Sequence, residues 1–132
     1  MYDRILAPIN LANDQAGTIL TESSNLAQEM DAELYILHAF PQGIPDDVKQ
    51  SEKDLFNETV SKLSETLNPT ILEKDTDPAQ AIQDAVREHS IDLVVITPTN
   101  RTKLKKIIMG SVTEKTIKQV NANVLVLSDS YS

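Results

Sequence analysis

The chain has no cysteine and no tryptophan, and it has only three glycines among its 132 residues. Without cysteine it forms no disulfide, thiolate zinc site, iron–sulfur cluster or cysteine nucleophile, which fits a reducing compartment. Two phenylalanines and three tyrosines are too few for the stacking platforms that bind single-stranded nucleic acid. No apolar run approaches the ~20 residues of a membrane helix, and the run after Arg4 is too short for a signal peptide. We therefore expect a cytoplasmic protein that binds neither nucleic acid nor membranes.

The net charge of −8 is distributed unevenly along the chain. Residues 1–100 carry 18 acidic and 6 basic side chains, whereas residues 101–132 carry 6 basic and 2 acidic ones. The acidic total argues against nucleic acid and anionic membranes as partners. The basic segment that includes Arg101, Lys103 and Lys105 is either a solvated surface or part of a small anion site, and its pattern leaves both open.

Short runs rich in Ile, Leu and Val alternate with segments of helical periodicity. The predicted strands are 5–9, 34–39, 70–73, 93–96 and 124–127. The predicted helices are 15–30, about 47–67, 78 to about 89, and about 111–120. Strands that are apolar on both faces, each followed by a helix, are typical of a parallel sheet covered on both sides. We therefore predict one α/β domain over residues 1–132, a Rossmann-like, doubly wound sheet of five parallel strands with helices on both faces.

Two helix starts can be read from the sequence. Asp77 followed by Pro78 is typical of an N-cap and first helical residue. Asp46 and Asp47 resemble a carboxylate pair but fit better the first turn of the second helix, where acids favour the helix dipole. On that helix six apolar residues recur at helical spacing: Val48, Leu55, Phe56, Val60, Leu63 and Leu67.

Ligands of doubly wound sheets bind where the carboxyl ends of the strands meet at a reversal of strand order. Asn10, His38 to Phe40, and residues 97–101 follow predicted strands and therefore belong to this edge. Gly110 and Ser111 at the start of the last helix form either a phosphate cradle or an ordinary helix start, and the local pattern leaves both open.

The segment from Thr97 to Leu127 resembles the carboxyl-terminal signature of the universal stress protein family. In that signature Gly-x-x-Gly is followed, nine residues later, by Gly-Ser/Thr at a helix start. Nine residues separate Asn100 from Gly110, and the sequence GSVTEK at 110–115 matches closely. The likeness covers the whole chain, including YDRILAP at 2–8, DPAQAI at 77–82 and HSIDLVV at 89–95.

The resemblance implies a site for ATP, with Mg²⁺, or for a related adenine nucleotide. Carried over by position, the nucleotide-binding residues are Asn10, Ala39, Thr97, Asn100, Gly110, Ser111 and Val112. It also implies a homodimer whose fifth strands meet edge to edge, which satisfies an otherwise exposed strand edge. The residues paired there are Val124, Leu125, Val126 and Leu127.

Three positions depart from the family pattern. Thr97 and Asn100 stand where the family has glycines, and Asn10 stands where it usually has an aspartate. Thr97 adds a β-branched side chain, Asn100 tolerates the left-handed backbone that a glycine adopts, and Asn10 still offers hydrogen bonds to adenine. Two functions therefore stay open: a stress-response sensor or regulator that binds the nucleotide, and a dimer that has lost nucleotide binding and acts through contacts with other proteins.

No constellation of catalytic residues is visible. His38 and His89 are the only histidines, and no third ligand accompanies them at metal-like spacing. Ser111 has no histidine nearby in sequence to activate it as a nucleophile. We therefore predict no catalytic residue, no resident metal site, and at most weak ATP hydrolysis.

Overall fold

The computed structural model describes residues 2–9, 16–40, 42–62, 68–96, 100–101, 107–108 and 111–127, with the backbone alone described for 16–18, 100–101, 107–108 and 111–113. The strands are β1 (Arg4–Pro8), β2 (Glu33–Ala39), β3 (Thr70–Lys74), β4 (Leu93–Ile96), β5 (Asn100–Arg101), β6 (Ile107–Ile108) and β7 (Asn123–Val126). The helices are α1 (Ala16–Met30), α2 (Asp46–Ser61), α3 (Pro78–His89) and α4 (Ser111–Gln119).

Five of the strands form one sheet in the order β3-β2-β1-β4-β7, and every neighbouring pair is parallel. The chain moves outward from β1 to β3, then crosses back to β4 and continues outward to β7. Right-handed crossovers therefore put α1 and α2 on one face and α3 and α4 on the other. The predicted doubly wound sheet is confirmed, with its order reversing between β1 and β4.

Each face of the sheet has its own apolar core. Ile5 and Ala7 of β1 pack with Phe56 of α2 in one core, whereas Leu6 packs with Ile82 of α3 in the other. Side chains of a strand alternate between the two faces, so a strand covered on both sides must be apolar at every position. This is why the sequence has continuous apolar runs at its central strands.

Helix α2 buries only part of its apolar set. Phe56 and Val60 are buried, whereas Val48 and Leu55 are 43% and 46% exposed. At about 100° per residue, Leu55 lies a quarter turn or more away from Phe56, outside the stripe that faces the sheet. The helix ends at Ser61, and Leu63 and Leu67 lie outside the described residues.

Helix α3 begins as predicted and ends without a glycine. The Asp77 carboxylate accepts a hydrogen bond from the Gln80 N–H at 3.1 Å, and Pro78 is the first helical residue. At the other end Ser90 has φ 53° and ψ 47°, and Asp31 after α1 also has φ 53°. Both helices therefore stop in a left-handed residue that is not glycine.

Candidate functional site

Strands β1 and β4 are held together at their amino ends and separate toward their carboxyl ends. The Asp92 carboxylate accepts hydrogen bonds from two backbone N–H groups at the start of β1, at 2.8 and 3.0 Å. The ladder between the strands ends at the pair Leu6 and Val94, although β4 pairs with β7 as far as Ile96. The carboxyl ends of β1 and β4 lie at the order reversal, where sheets of this kind bind ligands.

Pro8 gives a physical reason for the separation. The next residue, Ile9, donates its N–H to the carbonyl of Leu37 in β2 at 2.9 Å. Backbone N–H groups of a strand point alternately to its two neighbours, so the nitrogen of Pro8 faces β4. Proline has no hydrogen to donate there, and the ladder with β4 cannot continue. Pro8 is visible in the sequence, but its consequence depends on the strand order, which places β4 on that side.

The carboxyl end of β2 lies next to that of β1 at the same edge of the sheet. Ala39, the predicted backbone contact for adenine, is half-buried there. The following residue, Phe40, is buried and donates its N–H to the carbonyl of Lys74 at 2.7 Å. The ammonium groups of Lys49 and Lys53 lie 5.4 and 5.7 Å from the centre of its ring. These contacts fix Phe40 and the chain direction after Ala39.

Both lysines are also paired with carboxylates. Lys49 lies 2.5 Å from an oxygen of Asp75, and Lys53 lies 3.8 Å from an oxygen of Glu73. The hydrogen bond from Lys49 holds the pKa of the Asp75 carboxyl below its usual value. The positive charge of these lysines is therefore largely matched by neighbouring acids.

His38, the residue of β2 before Ala39, is buried, with 4% of its surface exposed. Its Nδ1 lies 3.3 Å from the carbonyl oxygen of Ile9, and its ring contacts those of Phe40 and Phe56. Its Nε2 makes no hydrogen bond within the described part of the chain and lies 3.7 Å from a carboxylate oxygen of Glu52. The sequence places His38 at this edge, but the contact with Ile9 depends on the register of β1 and β2.

A two-stranded antiparallel ladder follows β4, in a segment for which no strand was predicted. Asn100 of β5 pairs with Ile108 of β6, and Arg101 pairs with Ile107. Partners in such a ladder have Cα atoms about 4.5–5.5 Å apart. The ladder therefore brings Asn100 next to a residue that precedes Gly110 by two positions. The backbone of Asn100 is in this way close to that of Ile108, three positions before α4 begins.

Helix α4 begins at the same edge of the sheet. The helix begins at Ser111, as predicted, and returns the chain from β4 to the parallel strand β7. Its amino end must therefore lie at the carboxyl edge of the sheet. The first N–H groups of a helix have no partner within it and carry a partial positive charge. This is the arrangement that binds phosphate groups in proteins.

The predicted site residues are described to different extents. Ala39 is described fully, and Asn100, Ser111 and Val112 by their backbone, at the carboxyl edge of the sheet. The remaining predicted residues, Asn10, Thr97 and Gly110, lie outside the described residues, as do Lys103 and Lys105.

The described ranges contain no group of three His, Asp or Glu side chains placed to hold a metal ion. None of their helices is long and apolar enough to cross a bilayer. A groove of about 540 Å³ lies between the ends of α3 and α4, lined by Arg87, Ser90 and Asn121 among others. These residues precede β4 and β7, so the groove is at the edge opposite the candidate site.

Comparison with known proteins identifies relatives over nearly the whole chain. The profile of the universal stress protein family matches residues 1–128. A universal stress protein of Methanocaldococcus jannaschii is 26% identical over 96% of this chain and 82% of its own. The structure of a universal stress protein from Archaeoglobus fulgidus has a TM-score of 0.76 at 23% identity, covering 96% of this chain and 98% of that one. A structure from the same organism, in complex with dAMP, has a TM-score of 0.71 at 21% identity, covering 95% and 97%.

Proposed function

The chain belongs to the universal stress protein family, and we propose that it forms one domain of that family and binds ATP or a related adenine nucleotide as a stress-response sensor or regulator. The observation that supports the proposal is the backbone pairing of Asn100 with Ile108, a residue three positions before the start of α4. The complex of the Archaeoglobus fulgidus protein with dAMP supports an adenine nucleotide as the ligand.

Each predicted residue has a role in this proposal. Asn10 and the backbone at Ala39 bind the adenine, because a side-chain amide and a peptide group together offer donors and acceptors to the base edge. Thr97 and Asn100 line the ribose and phosphates, and the start of α4 binds the terminal phosphates through its N–H groups. The residues of that start are Gly110, Ser111 and Val112. Mg²⁺ is proposed only as the companion of a triphosphate, whose oxygens it prefers as ligands.

The test is a calorimetric titration of ATP into the unsubstituted protein, Gly110→Val and Ser111→Ala. Valine puts a branched side chain where phosphates must approach the backbone, and we expect Kd to rise at least tenfold, which is about 1.4 kcal/mol. Ser111→Ala should weaken ATP binding as well, because it removes a hydroxyl group from the start of α4. Asp77→Ala is the matched control, because it removes the cap of α3 and should lower stability with no change in Kd. Unchanged Kd in both α4 variants would overturn the phosphate cradle.

A second function, a dimer that acts through protein contacts, is favoured by the threonine and asparagine that replace the two family glycines. We propose that the homodimer forms in either case through β7, an edge strand of the sheet. Leu125 on this strand and Ile117 on α4 are 38% and 44% exposed, which leaves apolar surface for a second copy to cover. Failure of the unsubstituted protein to bind ATP while it remains a dimer would favour this function. We further propose that the protein acts in the cytoplasm.

A further inference from the structure

His38 is a polar side chain almost completely enclosed by apolar rings. Its ring stacks on Phe56 with centroids 5.4 Å apart and meets the Phe40 ring edge-on at 4.5 Å. Burying a polar group is costly unless it forms a hydrogen bond, so a side chain that only filled this space would be better apolar. The position of its two nitrogens therefore needs an explanation beyond packing.

One nitrogen reaches the strand next to β2. Nδ1 lies 3.3 Å from the carbonyl oxygen of Ile9, which can only accept, so Nδ1 carries the hydrogen and donates it. Ile9 also donates its own N–H to the carbonyl of Leu37 at 2.9 Å. The peptide groups on both sides of Ile9 are thus held by neighbouring residues of β2.

The other nitrogen shows which bond orients the ring. Nε2 has no hydrogen-bond partner in the described ranges. A carboxylate oxygen of Glu52 faces it at 3.7 Å, and Glu73, the neighbour of His38 on β3, is paired with Lys53. The bond to Ile9 is therefore the polar contact that sets the orientation of the imidazole, with the two phenylalanine rings confining its plane.

The contact with Ile9 comes where regular pairing stops. The ladder of β1 with β2 ends at Pro8 and Leu37, and on its other side Pro8 has no donor for β4. The Ile9 N–H continues the hold of β2 on the chain by one residue, and the His38 bond adds the Ile9 carbonyl, which belongs to the peptide group that leads to Asn10. This bond therefore fixes the direction in which the chain leaves the sheet toward the residue assigned to adenine.

We propose that His38 is a positioning residue of the nucleotide site and that it determines the preference of the site for adenine. This inference rests on the proposed function, in which Asn10 binds the base. Holding Ile9 affects the base-reading end of the site, whereas the phosphate cradle at α4 lies on another element. Loss of the bond should therefore reduce discrimination between bases more than it reduces binding of the phosphates they share.

Two variants separate the hydrogen bond from the packing of the ring. His38→Phe keeps an aromatic ring in the core and removes the donor. His38→Asn removes most of the ring but keeps a donor, because the amide nitrogen Nδ2 of asparagine is bonded to Cγ just as Nδ1 of histidine is. The Phe variant should be the more stable of the two on heating, and the Asn variant should be the better binder. A purely structural role predicts that affinity follows stability instead.

The experiment measures Kd for ATP and for GTP by calorimetry, with thermal unfolding alongside. In His38→Phe we expect Kd for ATP to rise about three- to tenfold, the scale of one lost hydrogen bond, with a smaller change for GTP. In His38→Asn both constants should stay within about twofold of those of the unsubstituted protein. The ratio of the two constants is the deciding quantity, because loss of core packing alone would not move it.

The possible failures are distinguishable. If the unsubstituted protein binds neither nucleotide, the proposed function and this inference are both overturned. If it binds ATP and GTP equally, or if His38→Phe keeps the same ratio of constants, the proposed function stands and the role of His38 is overturned. Loss of ATP binding in His38→Asn in proportion to its loss of stability would also overturn that role.

Discussion

Asp84 shows, at the scale of a single residue, how helix neighbours tune a carboxyl group. On α3, Gln80 donates to its Oδ1 at 2.8 Å and Arg87 donates at 2.9 Å. The Gln80 bond foremost, and then Arg87, holds the pKa of Asp84 below the 3.8 of an ordinary aspartate. Because the pKa is lower in the folded state, the ionised group stabilises the fold above pH 3.8. This contribution is lost as the pH falls through the folded value.

We therefore predict that an NMR titration finds the pKa of Asp84 below 3.8 and that Gln80→Ala moves it upward. Arg87→Ala should move it upward by less, because its hydrogen bond is the smaller contribution and its side chain is largely exposed. A larger effect of Arg87→Ala would show that charge dominates here instead of the amide hydrogen bond.

Thr97 is the residue at which the departure from the family pattern should matter most. The backbone of Asn100 is extended because Asn100 lies in β5. Asn100 is therefore not held in the left-handed conformation that a glycine could adopt there. We predict that Thr97→Gly lowers Kd for ATP about fivefold, near 1 kcal/mol, by removing a β-branched side chain from the path of the phosphates. Asn100→Gly is the matched control and should bring no gain in calorimetry. Unchanged or weaker affinity in Thr97→Gly would mean that threonine does not obstruct the site.

At the scale of the helix, α1 and α3 both end in left-handed residues that carry side chains. Ser90 at φ 53° bears a conformational cost of about 1–2 kcal/mol relative to glycine, partly offset because glycine gains more freedom on unfolding. We predict that Ser90→Gly raises the free energy of unfolding by about 0.5–1 kcal/mol in chemical denaturation. Ser51→Gly, at an exposed position inside α2, should lower it by about 0.5 kcal/mol. Destabilisation by both variants would show that Ser90 contributes more than its backbone conformation.

The edge strand β7 provides a selective test of the dimer. Leu127 donates its N–H to Ile96 and Asn123 donates to Asp92, so the N–H of Val126, which lies between them in alternation, faces the free edge. We predict that Val126→Pro produces a folded monomer in light scattering, because it removes only an outward donor. Leu125→Pro, which removes a donor facing β4, should instead destabilise the protomer. An unsubstituted protein that is monomeric at micromolar concentration would contradict the proposed dimer.

Elements with strong local signals were predicted well from the sequence. The apolar run at β4 and the Asp77–Pro78 start of α3 match the structure, because burial on two faces and helix capping are local properties of the chain. The β5–β6 ladder was missed, since strands of two residues are too short to show a period. The left-handed helix end at Ser90 was missed because no glycine marks it.

For the whole molecule, the alternation of strands and helices was enough to predict the fold class. The candidate site could be predicted from the sequence only in part. The early end of the β1–β4 ladder depends on Pro8 facing β4, and the contact of His38 depends on the register of β1 against β2. Both are consequences of strand order and pairing, which no local pattern contains. The assignment of Asn10, Thr97 and Gly110 still depends on the resemblance to the family.

Thermal unfolding of the unsubstituted protein with ATP at millimolar concentration, and with GTP as the matched control, tests nucleotide binding most directly. A ligand at a hundredfold excess over its Kd adds about 2.7 kcal/mol to the free energy of unfolding. For a domain of this size that corresponds to an increase in Tm on the order of 10 °C. We predict a clear increase with ATP and a smaller one with GTP. No increase with ATP would contradict the nucleotide site and leave Gly110 and Ser111 as an ordinary helix start.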